Sequence, residues 1–98
     1  MKKYSLVETD TKQLPGGKTL YRIKANVSFG SVREGELGGY IETTKNLSDD
    51  GNAWVSDDAQ VFRNAKVYGN AWVFGDAKVS GNTKVYGNAW VSDDAKVF

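Results

Sequence analysis

Ninety-eight residues with thirteen Lys/Arg, twelve Asp/Glu, no histidine and no cysteine leave room for one domain of net charge +1. A balance so near neutrality gives no overall pull toward nucleic acid or a membrane surface, and a chain without cysteine has neither a disulfide framework nor thiolate chemistry. The opening Met-Lys-Lys runs into Tyr-Ser-Leu-Val-Glu-Thr-Asp, too short and polar for a signal peptide. No stretch has the apolar length of a membrane span, so a cytoplasmic protein without membrane contact is expected. The charge is uneven: residues 1–46 carry eight Lys/Arg against five Asp/Glu, residues 47–98 five against seven.

In chain order, Tyr4-Ser-Leu-Val-Glu8 reads as a strand, Leu14-Pro-Gly-Gly17 as a turn, and Thr19-Leu-Tyr-Arg-Ile-Lys-Ala25 as a second, alternating strand. Together they predict a β-hairpin. Gly35, Gly38 and Gly39 then predict a tight bend leading into Tyr40-Ile41-Glu42, and Asn46-Leu47-Ser48 leads into a repeating segment. Residues 1–46 are expected to cap that repeat, covering backbone groups that would otherwise form an open, aggregation-prone edge.

From residue 47 a six-residue period takes over. Valine recurs at 55, 61, 67, 73, 79, 85, 91 and 97, preceded two residues earlier by Ala or Thr and three residues earlier by Asn or Asp. No helix repeats every six residues. Small residue in, next out, Val in, next out is the alternation of a strand. The Gly-Asn, Asp-Asp, Gly-Asp and Arg-Asn pairs between units supply turn chemistry. A short strand and a corner, repeated, describe a parallel β-helix with one hexad per side. Trp54, Trp72 and Trp90 recur every eighteen residues, so a three-sided coil stacks them as a ladder about 4.8 Å apart. The expected fold is all-β: a parallel β-helix of about two and a half to three coils over residues 47–98, capped by the N-terminal hairpin. The sequence stops at Val97-Phe98, inside a hexad. An open edge there is expected to pair with another subunit, to accompany side-by-side packing, or to mark a piece of a longer protein. Self-association as a dimer or trimer is the leading expectation.

Candidate functional residues emerge from the faces. Trp54, Trp72, Phe74 and Trp90 share one outer face with Ser56 and Ser92; a contiguous aromatic patch on so small a protein reads as an interaction surface. The competing reading is that the N-terminal segment folds over this face and buries it. Lys66, Tyr68, Lys84 and Tyr86 occupy a second face, read as solvated; four such residues without arginine do not favour nucleic acid. Asp58, Asp76 and Asp94, flanked by Asp57 and Asp93, stack at one corner. Their mutual repulsion, roughly 1 kcal/mol per neighbour even at the dielectric of water, calls for an offset from solvent, a nearby lysine, a metal ion or a basic partner. Aspartate also suits such corners for the reason Asn64 and Asn82 do, and the site lacks a looped calcium geometry. For catalysis the inventory is thin: Ser56, Ser80 and Ser92 have no neighbouring base, and no phosphate-loop motif is present. No enzyme activity, cofactor or metal is expected.

Val67-Tyr-Gly-Asn-Ala-Trp72 resembles the hexapeptide repeat of left-handed β-helix proteins. Leu20-Tyr-Arg-Ile-Lys-Ala25, Phe29-Gly-Ser-Val32, Gly35-Glu-Leu-Gly-Gly-Tyr-Ile-Glu42 and Asn46-Leu-Ser48 with Gly51-Asn-Ala-Trp-Val55 resemble, more narrowly, the YdcK-like proteins of bacteria and their phages. The resemblance implies a left-handed coil and no established activity. Hexapeptide acyltransferases work as trimers with a histidine base, and carbonic anhydrase-like relatives hold zinc with three histidines; this chain has none. A non-enzymatic binding module is therefore expected, with a phage-encoded inhibitor of a host defence factor as the role that the resemblance suggests. A small-molecule or nucleotide binder with its ligand at subunit seams, and a purely structural oligomer-former, are the alternatives.

Overall fold

In the computed structural model, which describes residues 2–92 and 95–97, the six-residue step becomes two-residue strands separated by corners. They are β4 (Trp54–Val55), β5 (Gln60–Val61), β6 (Lys66–Val67), β7 (Trp72–Val73), β8 (Lys78–Val79), β9 (Lys84–Val85), β10 (Trp90–Val91) and β11 (Lys96–Val97). They stack in parallel as β4-β7-β10, β5-β8-β11 and β6-β9, giving the three faces of a parallel β-helix of about three turns. Each turn hands its hydrogen bonds to the next. The Trp54 amide donates to the Ala71 carbonyl at 3.1 Å, and the Trp72 amide to that of Ala89 at 3.0 Å. Only small and β-branched side chains fit inside. Ala53, Ala59, Ala65, Ala71 and Ala77 are fully buried, as are Val55, Val61, Val67, Val73 and Val79. Burial thins toward the far end, where Val91 and Val97 are only partly covered.

The corners demand a left-handed backbone at their first residue. Glycine fills most of these positions, but Asp57 (φ 57°) and Arg63 (φ 60°) do not have its freedom. At Gly51, φ is 68°, and an added Cβ would run into the Gly69 carbonyl of the turn beside it.

Ahead of the coil, β1 (Tyr4–Gln13), β2 (Thr19–Ala25) and β3 (Leu37–Ile41) form an antiparallel meander. The expected hairpin is there. Its first strand runs on to Gln13, with a register shift between Val7 and Thr11. Of the three glycines expected at the bend, Gly35 is at the turn, whereas Gly38 and Gly39 lie inside β3. These two glycines answer to crowding. A Cβ at Gly38 would stand 2.5 Å from the Val55 carbonyl oxygen and 2.7 Å from the Trp54 ring; one at Gly39 would stand 2.6 Å from the Ala59 carbonyl oxygen.

The meander covers the first turn, where Gly38 and Gly39 close on the Val55 and Ala59 carbonyls, and it continues one face, because β3 pairs in parallel with β5 through Tyr40↔Gln60 and Ile41↔Val61. After a single 3-10 turn, Thr44–Asn46, Leu47 bridges to Val67 in the same sense. Residues 40–48 thus act as a turn preceding the first, offset by twenty residues where the repeat uses eighteen. Buried Asn46 holds the join with four hydrogen bonds. Its Oδ1 accepts from the Glu42 and Thr43 amides (3.1 and 2.9 Å), and its Nδ2 donates to the Arg63 and Ala65 carbonyls (3.1 and 2.8 Å).

Asn46→Ala leaves the Thr43 amide and the Arg63 and Ala65 carbonyls unpaired under the cap, while the Glu42 amide keeps the Val61 carbonyl, so a loss of about 2 kcal/mol or more in chemical denaturation is expected. Arg63→Gly relieves a left-handed corner and is expected to gain roughly 0.5–1 kcal/mol, whereas Gly51→Ala, measured in the same way, loses more than that.

Candidate interaction surface

The three tryptophans are brought into register as expected: Trp54 pairs with Trp72, and Trp72 with Trp90. Their surroundings are not equal. Trp54 is 0% exposed, so the expectation of a free three-rung ladder is corrected at its first rung. Phe29 and Tyr4 meet its ring edge-to-face, at 5.4 and 6.5 Å between centroids. The indole N–H finds no acceptor; being fully buried, Trp54 serves the core and is not available to a partner. The reading in which the N-terminal segment covers this face holds for that rung.

Lys3 completes the cover. It is 4% exposed; its Nζ donates to the Ala53 and Gly51 carbonyls at 2.8 and 3.4 Å and lies 4.7 Å from the Phe29 ring centroid. Desolvation pulls its pKa down to about 8, with Asp49 and Asp50 working the other way. Tyr4 is fixed beside it, its hydroxyl donating to the Leu47 carbonyl at 2.5 Å. Burial pushes that phenol above the usual tyrosine range.

Beyond the cover the face opens. Trp72 is half-buried, and Trp90 is 70% exposed with Phe74 edge-to-face against it at 5.5 Å. Between Trp72, Trp90 and the amides of Asn52 and Asn70 lies a shallow hollow of about 400 Å³, rimmed by Gly30 and Ser31. The usable aromatic surface is therefore Trp72, Phe74 and Trp90.

The acidic corner is divided. Asp93 and Asp94 lie outside the described residues. Asp57 does a corner residue's work, its Oδ2 accepting from the Gly75 amide at 3.1 Å. Asp58 meets a cation that sequence reasoning missed: Arg22 of β2, whose Nη2 is 3.5 Å from the Asp58 carboxylate and whose Nε is 2.6 Å from that of Asp10. The guanidinium sits over the Tyr40 ring at 4.4 Å, and its hydrogen bond holds the Asp10 carboxyl below the usual aspartate range. Part of the expected like-charge strain is thus relieved within the chain. Asp76 is exposed. Among the described residues no group of three His, Cys, Asp or Glu side chains is placed to hold a metal ion, and no helix is long and apolar enough to cross a membrane. Neither a family model nor a curated protein matches the chain.

Lys3 gives the cap a pH signature. Its pKa is about 8 in the fold against 10.5 for an ordinary lysine, so between these values the unfolded chain binds more protons and stability rises with pH. Tyr4 acts in reverse above its ordinary value of 10.0, because the folded phenol stays protonated while the unfolded one ionises. Denaturation midpoints are expected to climb from about pH 8 toward 10 and then fall, with a slope approaching about 1 kcal/mol per pH unit on the rise. Lys3→Met should abolish the rise.

Proposed function

We propose that this chain is a non-enzymatic binding module that associates with a second copy of itself through Trp72, Phe74 and Trp90. The observation that carries the reading is the exposure gradient along one ladder, from 0% at Trp54 to 70% at Trp90. The cap encloses the first rung and leaves the last one bare beside Phe74, on the turn where core valines are also least covered. Large aromatic surface in a contiguous patch is what interface hot spots are made of. A second copy would remove it from water and screen the partly covered Val91 and Val97.

The test is solution mass by light scattering for the native chain and Trp90→Glu, whose exposed side chain leaves the core untouched. A native dimer or trimer and a folded, monomeric variant are expected. The substitution should weaken association by at least about 2 kcal/mol, roughly thirtyfold in Kd. A native chain that is monomeric at every concentration overturns self-association and leaves the same face to a foreign protein. The resemblance to YdcK-like proteins of bacteria and phages favours a host defence factor for that role.

A further inference from the structure

On the face formed by β6 and β9, Lys66 and Lys84 are in direct register, and Tyr68 and Tyr86 stack with ring centroids 5.2 Å apart and planes 9° from parallel. The repeat alone contributes these four residues. Folding brings two more cations from the cap: Lys2 and Lys45 line an open groove of about 470 Å³ with Lys66, Tyr68 and Lys84, and with Asp49 as its acid. Across Lys45 and Lys66 the groove continues into a second hollow of about 500 Å³ that adds Arg63 and Lys18, the latter bound to Glu42 at 3.2 Å. Among the described residues no carboxylate lies within ion-pair distance of Lys2, Lys45, Lys66 or Lys84.

Cations one rung apart, about 4.8 Å, repel by roughly 1 kcal/mol or more. A chain of net charge +1 has thus gathered un-neutralised lysines on one face, while Arg22 is spent on Asp10 and Asp58 elsewhere. The ligand that relieves such a run carries charge at repeated intervals. The tyrosine pair narrows the choice further. Tyr86 is 58% exposed and already stacks on Tyr68, so its ring offers surface to a flat π-system. A phosphodiester chain with unpaired bases offers both features at once; a duplex keeps its bases stacked on each other, and an acidic peptide has none to stack.

We propose that this groove binds single-stranded nucleic acid, with Lys45, Lys66 and Lys84 on phosphates and Tyr86 under a base. About three phosphate contacts imply weak binding whose log–log salt slope is near −2.

The experiment is fluorescence anisotropy of a labelled oligothymidylate titrated with the full chain over a salt series, with duplex DNA and polyglutamate as competitors. Lys66→Gln with Lys84→Gln should weaken binding about tenfold or more and reduce the slope by about 1.4. Tyr86→Ala should cost at least about fivefold. Trp90→Glu should leave binding unchanged, which separates this site from the self-association face. Both lysines are exposed, and removing their repulsion should not lower stability, so a folded double variant is expected by circular dichroism. Absence of binding at the lowest salt overturns the proposal. So does equal competition by polyglutamate with Tyr86→Ala unaffected, which would mark a site for acidic protein, and so does duplex binding as tight as the single strand.

Discussion

Everything in this molecule depends on the transfer of backbone hydrogen bonds from one turn to the next. Within one turn the backbone closes bonds only across corners, as the Ala59 amide does to the Ser56 carbonyl; Trp54, Gln60 and Lys66 complete theirs only through Ala71, Ala77 and Thr83 of the following turn. The first turn therefore needs donors on its other side, at positions set by the coil and not by the cap. Each face meets that need differently. The Tyr40 and Glu42 amides serve the Ala59 and Val61 carbonyls, Asn46 and the Ser48 amide serve Arg63, Ala65 and Val67, and Lys3 serves Gly51 and Ala53. Burying a lysine and an asparagine is costly when they are unpaired and tolerable when every hydrogen-bonding group is used, as at Asn46. Gly38 and Gly39 belong to the same device, since only a strand without side chains can come this close to the roof of the first turn.

The cap also decides which outer faces stay free. It spends Tyr4, Phe29 and Lys3 on the first tryptophan rung, and Arg22 on the acidic corner, where that guanidinium bridges the meander and the coil. Aromatic surface is left on one side and unpaired lysines on another. The two lie on different sheets of the helix, so each can take its own ligand without the other's involvement.

The repeat could be read from the chain because its period states its own geometry: an inward Ala and Val every six residues admit one narrow interior, and the eighteen-residue return of Trp fixes which rungs align. The hairpin was legible for a similar reason, with alternation on both sides of Leu14-Pro-Gly-Gly17. The site was less so. Nothing local to Trp54 tells it apart from Trp90; the difference lies with Lys3, Tyr4 and Phe29, dozens of residues away, arriving over one rung and not the next. Gly38 and Gly39 read as a bend because glycine signals both sharp turning and close approach, and spacing cannot separate the two. Arg22 was one cation among several on an alternating strand. Lys2 and Lys45 carried no signal that placed them beside Lys66.

A three-sided stack with this register has an arithmetic of its own for insertion and deletion. Adding or removing eighteen residues changes every face by one rung and leaves Trp over Trp, Lys over Lys and glycine corner over glycine corner, as Gly51, Gly69 and Gly87 now stand. Adding six keeps the core intact, since Ala and Val still point inward, but rotates everything downstream by one side, so that a tryptophan rung would land on a lysine face. Such a chain can grow in whole turns without redrawing its surface. A change of a single hexad would exchange its faces while leaving its interior unaltered.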